Sequence, residues 1–446
     1  MADTNNDVRV AAAMQIPQYV LDHGKYQCLS TSRRQYSERN EPQWSNFHCR
    51  KAARIKIEDD TKSYITNVPP APLLHLHSKD PYRPSSIAAQ LANTTPKFNF
   101  IPVPIPNAPL TLDNLDQLNT IGGKDIYLTS NDDITTNPKW LEGEKDWTNG
   151  EKSGAIVVVD KGEGVVDAFY FYFFAFNWGG VVLEKQLGDH VGDWYVLNSP
   201  RCKIEESIDQ YREHNMIRFI NGEPKYIWLS QHANGEAFTF AALKKDASGK
   251  RVSLHPQIIL PNPLTPTSQP IIFCATGSHA LYPTAGKTDH TIPNLNLSTP
   301  FLLVDYTDAG PLYDPLLCSF LYSYTSDTFT PYTPTAPTSY LSFTGRWGDE
   351  EYPANDPRQK GKNLLTFKKY TGGPTGPADK QLMRKDVWPQ NSSSGGQRIR
   401  TSVDGSSWFR DLFGRMKMKK AGVRRVDVRG EEVGFMAGRF VGGGET

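Results

Sequence analysis

Three short polar clusters hold the residues whose types could do chemistry. They are GDHVGDW (188–194), SQHANGE (230–236) and ATGSHA (275–280), and Asp305 and Asp308 follow the third. Each cluster follows or ends a run typical of a β-strand. Histidine and carboxylate side chains at strand ends can converge on a hard divalent cation or act as general acid–base groups. The alternative is that each histidine caps a loop or fills a polar pocket.

The clearest local structure is the run AIVVVDKGEGVVDAFYFYFFAFNW at residues 155–178. Two β-rich segments flank Lys161–Gly164, and this pattern predicts a hairpin. Aromatic side chains occupy both faces of the second segment, so we expect a central strand covered on both sides, as in a β-sandwich. Further β-strands are predicted at Ile217–Ile220, Tyr226–Leu229, Ile271–Ala275 and Ser339–Phe343.

Two short helices are predicted before the hairpin. Ser86 precedes the apolar residues Ile87 and Leu91, as a capping residue does at the start of a helix. Thr111 precedes a stripe of leucines that ends at Gly122-Gly123. A cap, an apolar stripe and a C-terminal glycine together predict the second helix.

The composition favours many short strands over a helix bundle. The 446 residues include 35 Gly, 33 Pro, 21 Phe, 9 Trp and 20 Tyr, which suits strands joined by turns. We therefore predict a mainly β protein with a β-sandwich-like core, a few short helices and disordered N- and C-terminal extensions. The 49 Lys and Arg nearly balance the 48 Asp and Glu, which argues against a nucleic-acid partner for the whole chain.

Several classes of function lose their usual sequence support. The chain has no phosphate-binding loop, no dinucleotide-binding glycine motif, no nucleophile elbow and no H-E-x-x-H. No nucleotide cofactor is therefore expected. The first residues, MADTNNDVRV, carry charges where a signal peptide needs an apolar stretch, and no apolar run has the ~18 residues of a transmembrane helix. These features fit a cytoplasmic protein.

Changes in composition divide the chain into three regions. Residues 1–65 show no sustained period and are expected to be disordered, and residues 66–390 form the β-rich core. Residues 391–446 read as a flexible tail, in which 410–429 hold eight Lys and Arg against two Asp, a net charge of +6. Such a tail can touch anionic lipid or nucleic acid, or it can simply be solvated.

The core resembles the fungal vacuolar protein sorting-associated protein 62 family, over roughly residues 70–390 and in the expected order. The stretches that carry the resemblance are HLHSKDPYRPSSIAAQL (75–91), LTLDNLDQLN (110–119), IYLTSNDD (126–133), VVVDKGEGVVDAFYFYFFAFNWG (157–179), GDHVGDW (188–194), SQHANGEAF (230–238), ATGSHALY (275–282), DYTDAGPLYDP (305–315), GRWGD (345–349) and YTGGPTGPADKQL (370–382). The resemblance implies a role in delivering proteins to the vacuole, with sorting machinery or a membrane surface as partner. It also implies that the protein, if not cytoplasmic, is vacuolar or endomembrane-associated. It implies no catalytic step.

The chain departs from the family pattern in two places. The pattern G-[DN]-H-V-G-D-W-E-H-N-M breaks after Trp194 and resumes at Glu213, so residues 195–212 are an insert of 18 residues. A second insert of 18 residues occupies 252–269. The codons at both ends of each insert can supply intron boundaries, and we hypothesise that both are translated introns. The alternative is two genuine surface loops, which cost little entropy in themselves.

Without the first insert, the cluster reads H-V-G-D-W-E and is similar to the H-R-H-D-W-E core of the necrosis-inducing secreted proteins. Those proteins are β-sandwiches that hold a divalent cation. The resemblance implies metal ligands at His190, Asp193 and Glu213, with a further ligand from His232 or His279. Oxygen-rich ligation with one or two imidazoles favours Mg²⁺, Ca²⁺ or Mn²⁺ over structural zinc.

The spacing of the first two ligands requires a bend in the strand. In an extended strand, His190 and Asp193 point to opposite faces, because side chains alternate. Glycine within a strand often marks a bulge. We therefore expect a bend at Gly192 that brings His190 to the side of the carboxylate.

The sequence leaves three hypotheses about the function. The leading hypothesis is a non-enzymatic factor in protein targeting to the vacuole. The second is a cation-dependent β-sandwich that binds membranes or glycans. The third is a metal-dependent hydrolase that uses Glu213 or Asp193 as base. An open coordination position in a cleft would favour the hydrolase, and a closed site at an exposed rim would favour the binding module.

Overall fold

The structure is a computed structural model. It describes residues 71–147, 149–194, 214–231, 234–246, 269–290, 303–364, 367–390 and 397–403. The predicted N-terminal extension, both inserts except Gln269, and most of the predicted basic tail lie outside these residues.

Short strands dominate the described residues, as the composition predicts. The strands are β1 (Leu73–His75), β2 (Thr94–Phe98), β3 (Ile101–Pro102), β4 (Tyr127–Ser130), β5 (Gly154–Asp160), β6 (Val165–Tyr172), β7 (Phe174–Asn177), β8 (Gly180–Val182), β9 (Lys185–Leu187), β10 (His190–Asp193), β11 (Asn215–Ile220), β12 (Glu223–Gln231), β13 (Asn234–Thr239), β14 (Ile271–Cys274), β15 (Leu281–Tyr282), β16 (Gly286–His290), β17 (Leu303–Thr307), β18 (Leu312–Tyr313), β19 (Ser319–Thr325), β20 (Thr328–Pro331) and β21 (Ile399–Arg400). The α-helices are α1 (Ile87–Ala92), α2 (Pro315–Cys318) and α3 (Ser339–Ser342). Short 3₁₀-helices lie at Leu115–Thr120, Gly123–Asp125, Ile134–Thr136, Lys139–Glu142, Phe240–Ala242 and Pro377–Asp379.

Eight strands form the main sheet, in the order β20-β19-β5-β6-β11-β12-β13-β21. Strands β5 and β6 pair antiparallel along their whole length, from Gly154 opposite Tyr172 to Asp160 opposite Val166. The predicted hairpin is therefore confirmed. The smaller sheets are β15-β14-β1-β18, β16-β17-β8-β9, β3-β2-β4 and β10-β7.

Strand β6 buries side chains on both faces, which confirms the predicted central strand. Phe169 and Phe171 lie in one apolar cluster together with Phe173, the residue that follows β6, whereas Tyr170 and Tyr172 lie in another. All five are between 0 and 2% exposed. The first cluster includes residues of α1 and α3, and the second includes residues of the sheet β15-β14-β1-β18. The core is thus a sandwich in which the main sheet is covered on both sides.

The first predicted helix is confirmed as α1. The Ser86 side chain caps it by accepting a hydrogen bond from the Ala89 backbone N–H at 3.3 Å. The second predicted helix is a 3₁₀ turn whose leucines, Leu115 and Leu118, are buried. None of the described helices is long and apolar enough to cross a membrane.

The prediction of a strand at Ser339–Phe343 is wrong. These residues form α3, which ends at Ser342, and Tyr340 and Leu341 are buried in the core. A short apolar run fits a buried strand and a single helical turn equally well, so periodicity could not separate the two.

The folded core extends past residue 390. Strand β21 adds to the edge of the main sheet, where Ala237 pairs with Ile399 in parallel. Arg400 forms an ion pair with Glu236 of β13. Residues 397–403, which the sequence assigned to the flexible tail, are therefore part of the core.

Strands β10 and β11 run antiparallel to one continuous stretch of chain, β6 and β7. Asp193 lies opposite Phe174, and Asn215 lies opposite Tyr170. Three residues separate Tyr170 from Phe174, but 21 separate Asp193 from Asn215, an excess of 18. This excess equals the length of the insert 195–212. Without the insert, β10 and β11 would continue in a single register along β6 and β7.

We therefore predict that a chain lacking residues 195–212 forms the same main sheet. Its free energy of unfolding should be no lower than that of the parent, since closing an 18-residue loop costs on the order of 2 kcal/mol of entropy. Urea unfolding and amide hydrogen exchange in β6 and β11 measure this outcome.

A deletion of residues 195–213 is the matched control. It leaves the strand one residue short, and a shift of one residue turns every side chain of β11 to the other face. We expect this variant to be strongly destabilised. Loss of the sheet in the first deletion, or equal stability of the two, would contradict the register argument.

Candidate functional site

Two of the predicted polar clusters meet at the strand pair β7-β10. His190 and Asp193 are the end residues of β10, and His190 lies opposite Asn177 of β7. His279 lies in the turn that joins β14 to β15. The structure thus brings together three of the five predicted ligands, His190, Asp193 and His279.

The predicted bend at Gly192 is confirmed. Gly192 has a φ of +67°, a conformation that favours glycine. A Cβ atom here would lie 1.6 Å from the Trp347 carbonyl oxygen, so no larger residue fits. The bend brings His190 Nε2 to 3.5 Å from Asp193 Oδ1.

The Asp193 carboxylate is completely buried and is surrounded by nitrogen atoms. His279 Nδ1 lies 3.0 Å from Asp193 Oδ2, and the Asn177 side-chain amide donates to the same oxygen at 2.9 Å. His190 faces the other oxygen. These three groups compensate the charge of the buried carboxylate.

His279 is held between two carboxylates. Its Nε2 lies 3.5 Å from Asp80 Oδ2, on the side opposite Asp193, and its ring stacks on Phe174 with centroids 3.8 Å apart. Asp80 in turn accepts a hydrogen bond from the Gly277 backbone N–H at 2.7 Å. His279 has a φ of +59°, an uncommon conformation for a residue with a side chain. Since both ring nitrogens face carboxylates, the imidazolium form suits this position.

The pKa values agree with this arrangement. Burial raises the pKa of Asp193, but the interactions with His190 and His279 outweigh burial and lower it to about 2. Burial lowers the pKa of His279, but hydrogen bonds to Asp193 and Asp80 outweigh burial and raise it to about 9. At neutral pH, the site therefore contains an ion pair between Asp193 and His279.

Two further carboxylates lie close to the site in sequence and each has its own partners. Asp305 accepts from the Ser278 hydroxyl at 2.7 Å and from the Tyr282 hydroxyl at 2.6 Å. Asp189 pairs with Lys369 at 2.7 Å. Burial nevertheless raises the pKa of Asp189 to about 7, because Lys369 offsets only part of the desolvation.

Sequence reasoning missed Asp80 and Asn177. Asp80 stands in a turn nearly 200 residues before its partner His279, and no spacing in the sequence links the two. Asn177 ends an aromatic strand that the sequence assigned to the core. The other two predicted ligands, Glu213 and His232, lie outside the described residues.

The two histidines differ in how well they could bind a divalent cation. Both nitrogens of His279 face carboxylates. By contrast, His190 Nδ1 donates to the Gly188 carbonyl at 3.0 Å, so Nε2 is a potential ligand atom when the ring is neutral and faces Asp193 as a donor when the ring is protonated. Within the described part of the chain, no group of three or more His, Cys, Asp or Glu could hold a metal ion.

Fold and site together define a mainly β protein whose histidines and carboxylates are buried against one another. The chain is 36% identical over 344 residues to the putative vacuolar protein sorting-associated protein TDA6 of Saccharomyces cerevisiae, covering 73% of this chain and 68% of that protein. It is 33% identical over 358 residues to vacuolar protein sorting-associated protein 62 of the same yeast, covering 74% and 70%. The chain therefore belongs to the vacuolar protein sorting-associated protein 62 family. No family model and no solved structure matches it.

The ion pair predicts how stability depends on pH. The pKa of His279 rises from 6.5 to about 9 on folding, so its stabilisation is complete below pH 6.5 and is lost as the pH rises through 9. The pKa of Asp193 falls from 3.8 to about 2, so its contribution is present above pH 3.8 and is lost as the pH falls through 2. The contribution of this pair to the free energy of unfolding should therefore be largest between pH 3.8 and 6.5.

Urea unfolding across this pH range, with a chelator present, measures the effect. We expect the free energy of unfolding to fall by roughly 3 kcal/mol as the pH rises through 9. Asp189 gives a separate, earlier fall, because its raised pKa means that its contribution is lost as the pH rises from 3.8 through 7. His279→Asn, which suits the positive φ, isolates the contribution of His279 and should show a smaller fall. An equal fall in parent and variant would contradict the ion pair.

Proposed function

We propose that this protein is a non-enzymatic factor in the targeting of proteins to the vacuole and that it is associated with the vacuole or its endomembranes. Support comes from the two yeast relatives, whose names place them in vacuolar protein sorting. The observation that carries the non-enzymatic part is the burial of the site. Asp80, His190, Asp193 and His279 are between 0 and 4% exposed and face one another, so they offer no reactive atom to a substrate. Its partners are sorting machinery or a membrane surface.

Complementation in yeast tests the proposal. In a strain that lacks both named relatives, expression of this chain should lower the fraction of a newly made vacuolar hydrolase that is secreted. The Asp193→Asn variant should lose this effect only to the extent that it is unfolded, because the site contributes to sorting through the stability of the fold. Loss of sorting in a variant as stable as the parent would contradict a structural site. No effect of the parent chain would contradict the sorting role.

We also propose a specific position for a divalent cation, which would support the cation-dependent binding module. The favouring observation is that His190 Nε2 has no hydrogen-bond partner and lies 3.5 Å from Asp193 Oδ1. Two ligands of one cation, each ~2.0–2.1 Å from Mg²⁺ or ~2.3–2.6 Å from Ca²⁺, can have this separation. The imidazole and the carboxylate would bind Mg²⁺, Ca²⁺ or Mn²⁺ and fix the loop that carries Gly188.

Calorimetric titration with each of these ions tests the cation proposal. Binding heat is expected in the parent and absent in Asp193→Asn. The matched control is His279→Asn, which leaves His190 and Asp193 Oδ1 in place and should retain the heat. If the parent gives no heat, or if Asp193→Asn binds equally, the cation proposal is wrong.

A further inference from the structure

The β2-β3 hairpin presents apolar side chains to solvent at its tip. Phe98 ends β2 and Ile101 begins β3, with Asn99 and Phe100 between them in a two-residue turn. Phe98 is 45% exposed, Phe100 40% and Ile101 68%. Three large apolar side chains within four residues therefore point away from the core. An apolar cluster of this kind at a loop tip indicates an interaction site.

The turn holds Phe100 in an unfavourable backbone conformation. Its φ is +63°, a region that asparagine and glycine tolerate and that bulky residues rarely adopt. The Glu350 carboxylate accepts the Phe100 backbone N–H at 3.1 Å and fixes the turn. Asparagine or glycine would be more stable at this position, so folding alone does not account for phenylalanine.

An apolar groove lies between α1, the start of β2 and the segment that follows the hairpin. No charged residue occurs from Phe98 to Leu112, a run of 15 residues. Part of this run and part of α1 line a groove of about 480 Å³. Its apolar walls include Leu91, Pro96, Ile105, Pro109, Leu110 and Leu112.

We propose that the hairpin tip inserts into the surface of a phospholipid bilayer, with the uncharged segment and its groove facing the lipid. A stable protein interface buries ~800 Å² on each partner, which a convex two-residue turn does not supply. Insertion into a bilayer needs no matching pocket, since each apolar side chain gains from burial by itself. The segment 98–112 carries no charge of its own, whereas residues 410–429 carry a net charge of +6 that attracts anionic lipid. The inference rests on the proposed function in one respect: the proposed function places this lipid at an endomembrane.

Flotation of the full chain with vesicles tests the proposal. The vesicles are phosphatidylcholine alone or phosphatidylcholine mixed with phosphatidylserine, each at low and high salt. The parent should float with both kinds, and high salt should remove only the phosphatidylserine-dependent part. Phe98→Ser and Phe100→Asn should each weaken binding roughly tenfold, as expected for losing one buried aromatic side chain. The matched controls are Leu183→Ser and Met383→Ser, which remove exposed apolar side chains outside the tip and should bind as the parent does.

Phe100→Asn separates binding from folding. Its thermal midpoint should rise, because asparagine tolerates the positive φ, while its vesicle binding falls. A parent that does not float, or tip variants that float as the parent does, would overturn the proposal. Sedimentation of the free chain as a dimer that the tip variants dissociate would assign the surface to a second copy and also overturn it. The yeast sorting assay is independent of vesicle binding, so failure here leaves its result standing.

Discussion

The site depends on the interactions that compensate the buried Asp193 carboxylate. A carboxylate with no exposure to water costs several kcal/mol unless hydrogen bonds and opposite charge compensate it. The compensation comes from three separate elements, through His190, His279 and Asn177. The bend at Gly192 and the positive φ of His279 are the conformations that bring these partners within reach. The network therefore holds β7, β10 and the β14-β15 turn in one arrangement, and it does so without exposing a reactive group.

Strand β6 connects this network to the core. The chain that buries Phe171 and Tyr172 on opposite faces of the main sheet continues directly into β7, which carries Phe174 and Asn177. Phe174 supplies the ring on which His279 stacks. The geometry of the site therefore depends on the stability of the sheet.

Much of the fold could be predicted because its signals are local. The aromatic hairpin, the cap of α1 and the bend at Gly192 each depend on residues close together in sequence. The helix at Ser339–Ser342 was mistaken for a strand, because tertiary packing decides the conformation of a short apolar run. Asp80 could not be predicted, because only the folded chain brings it to His279. The sequence also offered no signal that His279 itself would supply the positive charge beside Asp193, and it therefore suggested a metal ion.

A double-mutant cycle between Asp193 and His279 tests the central claim most directly. The free energies of unfolding of the parent, Asp193→Asn, His279→Asn and the double variant are measured in urea at pH 6 with a chelator. If the two residues form a buried ion pair, the singles are destabilised and the double variant is less destabilised than their sum. We expect a coupling energy of roughly 2–3 kcal/mol. Additivity of the two changes within about 0.5 kcal/mol would show that the residues act independently, and it would contradict this account of the site.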